Sequence, residues 1–197
     1  GVVKINSDNH ITDFVEKPVE FVSDLAIIGI YYFNDGENLM KELQFLIDNN
    51  IKDKGEYQLT NALENMKQKG KIFSIGTVDE WLDCGNKDAT VYTSQRVLEH
   101  NKNTSMVNEN VDLINSEIIE PCYIANGITI KNSKIGPHVS IDSGSIIEDS
   151  EISNSIIQSK STIKNAKLKN SMVGNHTFFD GHKVDQEISI GDFCEIR

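Results

Sequence analysis

Two short stretches hold the residue types and spacing that could do chemistry. The first is Glu16-Lys17-Pro18, directly after an apolar-alternating run. A lysine ammonium at a strand end can hold a phosphate, while a neighbouring carboxylate accepts hydroxyl donors. Pro18 fixes its own φ and biases Lys17 towards extended backbone. The simpler explanation is a surface ion pair between Glu16 and Lys17. The second stretch is Trp81-Leu82-Asp83-Cys84-Gly85, between a strand-like and a helix-like segment. An aspartate at the C-terminal end of a strand is placed to coordinate Mg²⁺ beside bound phosphates. The simpler explanation is that Asp83 N-caps the following helix and Trp81 packs. His138, His176 and His182 form a third set. Each is either a general base of an acyl-transfer site or a solvent-exposed corner histidine. His176 and His182 with Asp180 match no strong metal template.

The elements that would carry the first two stretches are strands alternating with helices. Val2–Ile5 and Ile11–Val15 alternate in polarity around Ser7-Asp8-Asn9, which is a hairpin signal. Residues 26–33 are apolar and aromatic with Gly29 inside, and predict a buried strand with a close backbone approach at the glycine. Residues 37–49 place Leu39, Leu43, Leu46 and Ile47 on one helical face. Residues 58–69 do the same with Leu59, Leu63 and Met66, ahead of Gly70 as a helix terminator. Residues 71–77 return as a strand, and 86–101 form a third helix. The pattern is that of an α/β layered domain.

From about Val111 the grammar changes. An aliphatic residue recurs every five or six positions: Ile114, Ile119, Ile124, Ile130, Ile135, Ile141, Ile147, Ile152, Ile157, Ile163, Leu168 and Val173. Asn, Ser, Asp and Gly fill the gaps. An internal repeat of this kind points to stacked coils, each burying one aliphatic side chain per short strand and turning at small polar corners. A single coil cannot bury its own face, so several must stack. The run resembles the hexapeptide-repeat family, and that resemblance implies a left-handed parallel β-helix over roughly residues 110–175. Phe178–Arg197 is less regular and is expected to cap the open end.

The chain has 197 residues, a formal net charge of -11 and a pI near 4.9. An acidic chain repels a phosphate backbone, which argues against nucleic acid as a partner. No apolar run reaches the ~18 residues of a membrane span, so no membrane partner is expected. Cys84, Cys122 and Cys194 are too few and too scattered for a disulfide or zinc framework, which fits the cytoplasm.

Taken together and in order, Gly1-Val2-Val3, Phe14-Val15-Glu16-Lys17-Pro18, Ala26-Ile27-Ile28-Gly29-Ile30-Tyr31, Gly55-Glu56-Tyr57-Gln58-Leu59-Thr60 and Trp81-Leu82-Asp83-Cys84-Gly85 resemble the sugar-1-phosphate nucleotidyltransferases, the glucose-1-phosphate thymidylyltransferases in particular. The fold implied is part of the α/β nucleotidyltransferase domain (residues 1–103, its C-terminal, sugar-phosphate portion) followed by a left-handed parallel β-helix (104–197). The resemblance implies that Gly1 brings backbone to the sugar and that Glu16 accepts sugar hydroxyls. It implies that Lys17 binds the sugar phosphate and Gly29 and Tyr31 line the sugar pocket. Asp83 becomes one aspartate of a Mg²⁺ site. Lys17 and Asp83 are the catalytic pair, and the substrates are a sugar-1-phosphate and a nucleoside triphosphate. Asn61 stands where the family has aspartate. The family's Gly-rich triphosphate loop and its first metal aspartate do not occur in these residues, which read as a segment starting inside a larger protein. This stretch alone is therefore expected to be inactive, with exposed apolar surface in its α/β half. The β-helix is expected to drive homo-oligomer formation. Two competing readings are a hexapeptide-repeat acyltransferase and a non-catalytic assembly or regulatory module.

Overall fold

A computed structural model describes residues 1–197. It divides into two compact units, Gly1–Trp81 and Leu82–Arg197. In the first, β1 (Val2–Ile5) and β2 (Ile11–Val15) form the expected antiparallel hairpin, turned at Asn6–His10. The segment after Leu25 adds briefly to the other edge of β1. Val3 N donates to Leu25 O at 2.9 Å and Ile27 N to Gly1 O at 2.9 Å. Two helices follow, α1 (Gly36–Asp48), capped by the Asp35 side chain, and α2 (Leu59–Gln68). Ala62, Leu63 and Met66 of α2 and Leu46 of α1 are buried and make the small core of this unit.

Two sequence expectations fail here. Residues 26–33 do not form a buried strand: beyond the bridge at Ala26 they pair with nothing, and Ile30 and Tyr32 are 77% and 92% exposed. Gly29 is required by its φ of +81°, and a side chain there would meet no atom within 4 Å, so no close approach exists. Residues 71–77 likewise contribute only the bridge between His10 and Ser74. The apolar surface expected of this half is present: Val19, Phe21 and Ile72 are exposed along with Ile30 and Tyr32.

The second unit opens with α3 (Lys87–His100) and continues as a parallel β-solenoid of about five turns. The architecture is that of the expected β-helix. Three parallel sheets make its faces. The first stacks Met106–Val107, Cys122–Ile124, Val139–Ile141, Ser155–Ile157, Met172–Val173 and Ser189–Ile190. The second stacks Val111–Ile114, Ile128–Lys131, Ile146–Glu148, Thr162–Lys164, Phe178–Asp180 and Glu195–Ile196, and the third runs from Glu117–Ile118 to Asp185–Gln186. Inward residues stack in register, as in Ile130 on Ile147 on Ile163 on Phe179. All ten repeat positions from Ile124 to Val173 are buried.

The first two positions are displaced by one residue. Leu113, not Ile114, aligns with Ile130, and Ile118, not Ile119, aligns with Ile135. Each belongs to an aliphatic doublet, and a one-residue slip exchanges inward for outward. The tail is not a cap: Phe179, Gln186, Ile190 and Ile196 continue the three stacks through a further coil.

The corners are held by hydroxyl ladders. Ser133 N donates to Ser116 Oγ, Ser150 N to Ser133 Oγ and Ala166 N to Ser150 Oγ, each at 3.0 Å. Each serine of this ladder also donates backwards, as Ser150 Oγ does to Glu148 O at 2.7 Å. A second ladder joins Ser145, Ser161 and Thr177, and a third joins Ser155, Ser171 and Ile188 N. These bonds satisfy the backbone where the chain leaves one sheet for the next. Ser150→Ala orphans the buried Ala166 N–H. It is expected to lower unfolding free energy by about 1–3 kcal/mol, read as a shifted denaturant midpoint with an unchanged slope.

Candidate functional site

β1 and β2 bring Gly1 and Glu16 together, because Val2 pairs with Val15 across the hairpin. The approach is tight. A β-carbon on Gly1 would lie 2.9 Å from Glu16 Oε2 and 3.1 Å from Ile27 Cδ1, so this position tolerates only glycine without displacing the carboxylate. Thr60, buried at the start of α2, offers its Oγ1 to Glu16 Oε2 at 3.4 Å. The Glu16 side chain is 18% exposed, so one carboxylate is held between backbone and hydroxyl with limited access to water. Tyr31 lies in its field: burial first, and then the negative charge of Glu16, push the phenol above its usual range. A run of rings holds Tyr31 in place. Tyr31 stacks on Phe33 at 6.0 Å, and Phe73 meets both Phe33 and Phe14 edge-on.

Lys17 follows at φ +40°, left-handed rather than extended. Non-glycine residues hold that conformation only where the surrounding structure fixes it. Lys17 is exposed, and no ion pair joins it to Glu16, so the surface-pair explanation does not hold. Gly29 sits in the exposed segment leading to Tyr31. Gly1, Glu16 and Tyr31 are thus gathered in one unit, with Lys17 adjoining. Thr60 is the member that sequence reasoning quoted without giving a role; its burial at a helix start is the signal, and it emerges only with the fold.

Asp83 belongs to the second unit. It does not cap α3. That role falls to Asn86, whose Oδ1 accepts from Ala89 N at 3.0 Å. The Asp83 carboxylate accepts only from Gly85 N at 3.1 Å and is otherwise exposed, while its carbonyl accepts from Thr93 Oγ1 at 2.7 Å. A hard, oxygen-seeking cation fits such a carboxylate as one ligand. No group of three or more His, Cys, Asp or Glu side chains converges in this chain, and Asp83 is not part of a complete cage.

The histidines have other occupations. His138 Nε2 lies 2.6 Å from Glu99 Oε1, and its side chain is only 15% exposed, so it is not a free corner histidine. That contact holds Glu99 below the usual carboxylate range, helped by Lys102. His176 stacks flat on Phe193 at 5.0 Å. His182 stands 70% exposed, 4.0 Å from Asp180.

Comparison with known proteins decides the family. The model described as "Nucleotidyl transferase" matches residues 1–100. The chain belongs to the nucleotidyl transferase family. Among relatives of this nucleotidyl transferase chain, a glucose-1-phosphate thymidylyltransferase of Streptomyces griseus is 27% identical over 192 residues, 89% of this chain and 53% of that protein. A bifunctional protein GlmU of Latilactobacillus sakei is 28% identical over 86% of this chain and 39% of its own length. GlmU of Limosilactobacillus reuteri is 27% identical over 100% of this chain and 47% of its own. The chain spans about half the length, or less, of the curated relatives it matches. No helix is long and apolar enough to cross a membrane.

Proposed function

We infer that this chain is the sugar-phosphate side of an enzyme that joins a nucleoside triphosphate to a sugar-1-phosphate, releasing pyrophosphate. The observation that carries the reading is the Gly1–Glu16–Thr60 contact set, with Tyr31 in the field of Glu16 and Lys17 adjoining. Glucose 1-phosphate with dTTP is the pair favoured by the motifs and by the Streptomyces relative's name. Glu16 accepts sugar hydroxyls with geometry fixed by Thr60, and the Gly1 backbone borders the sugar. Lys17 neutralises and orients the phosphate whose oxygen attacks the α-phosphorus. Gly29 lets the chain turn so that Tyr31 closes one side. Asp83 would be one carboxylate holding Mg²⁺, and the ion would supply charge neutralisation for phosphate chemistry. Orientation and charge neutralisation are what this chemistry asks of a protein.

We assign residues 1–103 to the catalytic domain and 104–197 to the β-helix, with self-association through the latter. The exposed Val19, Phe21, Ile30, Tyr32 and Ile72 are the surface on which the rest of that domain packs in a longer protein. Residues 1–197 alone contain no Gly-rich triphosphate loop and do not turn over. A cytoplasmic setting suits soluble phosphorylated substrates. The test is pyrophosphate release from a panel of nucleoside triphosphates and sugar-1-phosphates with Mg²⁺. A protein with the complete domain responds to one pair, and the 197-residue chain responds to none. Turnover by the short chain overturns its predicted inactivity.

A further inference from the structure

Within the second unit, α3 and the solenoid enclose a cleft of about 290 Å³. It is lined by Asp88, Val91 and Tyr92 of the helix and by Asn154, Asn170 and Glu187 of the coils. Asn154 carries a buried oxygen, Oδ1, that has no hydrogen-bond partner. Buried acceptors left unpaired are costly and rare. The neighbours of Asn154 fix which of its atoms is left over. Glu187 is held below the usual carboxylate range by Lys87 first, and also by the side-chain amide of Asn170. A carboxylate only accepts, so Asn170 turns Nδ2 to Glu187 and Oδ1 to Asn154. Asn154 answers with Nδ2, at 2.7 Å. Its own Oδ1 is then without a donor, and no flip of either amide repairs this while Glu187 keeps its bond to Asn170.

A neighbouring corner shows what is missing. There each oxygen is supplied from the coil before it: Asn115 Nδ2 donates to Asn132 Oδ1 at 3.0 Å, and Asn132 Nδ2 to Asp149 Oδ1 at 3.1 Å. At the Asn154 corner the successive left-handed positions are His138, Asn154 and Asn170. His138 stands where the donor to Asn154 belongs, and its Nε2 is turned instead to Glu99 Oε1 of α3, at 2.6 Å. The helix draws the donor away and roofs the gap that it leaves.

We propose that this cleft binds a small primary alkylammonium, whose N–H donates to Asn154 Oδ1. The charge balance suits a cation. Two carboxylates, Asp88 and Glu187, line the cleft, and no Lys or Arg side chain does. Lys87 beside them offsets one negative charge. It is already engaged, pairing with both carboxylates and donating to Asn170 O at 3.1 Å. A water molecule would satisfy Oδ1 and leave the second charge unanswered. Buried Val91 and the Tyr92 ring give a short alkyl chain an apolar side. The volume lies at the lower end of ligand pockets and limits that chain to a few carbons. The site does not depend on the enzymatic reading.

The test is an NMR titration of the whole chain with n-butylammonium chloride at low ionic strength, following the side-chain amides of Asn154 and Asn170. Saturable shifts with a dissociation constant in the millimolar range are expected. Tetramethylammonium has the same charge and no N–H, and is expected to leave both amides unmoved. That arm separates the site from general attraction of cations to a chain of net charge -11. Asn154→Gly removes the acceptor and suits the φ of +42° at this corner, so the coil is kept. Binding read from Asn170 is expected to weaken about tenfold in that variant. An equal response to tetramethylammonium overturns the proposal, as does unweakened binding in Asn154→Gly. So does the absence of any saturable shift with butylammonium, the result of a cleft that holds water only.

Discussion

Lys17→Met, in a protein with the complete catalytic domain, raises the KM for sugar-1-phosphate by about tenfold to a hundredfold and leaves the KM for the triphosphate unchanged. The magnitude is that of one charge-assisted hydrogen bond to phosphate, ~1.5–3 kcal/mol. The left-handed backbone at Lys17 and the absence of an ion pair with Glu16 both keep the ammonium available to a substrate. Lys17→Arg recovers only part of the loss, because a planar fork presents its donors differently from a point charge. Steady-state kinetics with each substrate varied in turn separates these outcomes. An equal rise in both KM values would mean that the lysine supports the fold and does not hold the sugar phosphate.

Gly136→Ala destabilises the solenoid by more than about 4 kcal/mol, at the upper end for a single substitution. The backbone there has φ +108°, and a β-carbon would fall 2.0 Å from Ile119 O and 2.9 Å from Cys122 Sγ. The obstacle is backbone of the preceding coil, which is itself tied in, since Ile119 N donates to Ile135 O at 2.7 Å. Relief requires neighbouring coils to separate, exposing Ile135 and Ile152 from a close-packed stack. Denaturant unfolding followed by circular dichroism measures the effect. A loss of only about 1–2 kcal/mol, the cost of the positive φ alone, would show that the coils yield more easily than the contacts imply.

The solenoid was legible because its physics is local and repeated. Ile130, Ile147 and Ile163 answer to one period, and the Asn and Ser between them suit corners. The two slips have the same origin: Leu113-Ile114 and Ile118-Ile119 each offer two aliphatic candidates, and only pairing with Ile130 and Ile135 chooses between them. The last coil was hidden because Gln186 stands where an aliphatic belongs, and the step from Leu168 to it is longer than the rest. In the first unit the two helices are legible because the 3.6-residue spacing of Leu39, Leu43, Leu46, Leu59, Leu63 and Met66 shows in the sequence itself. The stretches 26–33 and 71–77 are not, because a strand needs a partner and these residues find only single bridges. The candidate site was legible as motifs. Its geometry was not, since Thr60 and Glu16 are separated by 44 positions in the sequence. The simple capping explanation for Asp83 fell because Asn86, three residues on, caps α3.

The assignment of these residues to nucleotidyl transfer is tested most directly by Asp83→Ala. With the complete domain, Mg²⁺ and the responsive substrate pair, pyrophosphate release is expected to fall about a hundredfold to a thousandfold, the cost of removing one element of charge stabilisation. Binding of sugar-1-phosphate, followed by calorimetry, is expected to persist. Undiminished release in Asp83→Ala would contradict the role given to that carboxylate, and no release from any pair by the unaltered protein would contradict the enzymatic reading itself.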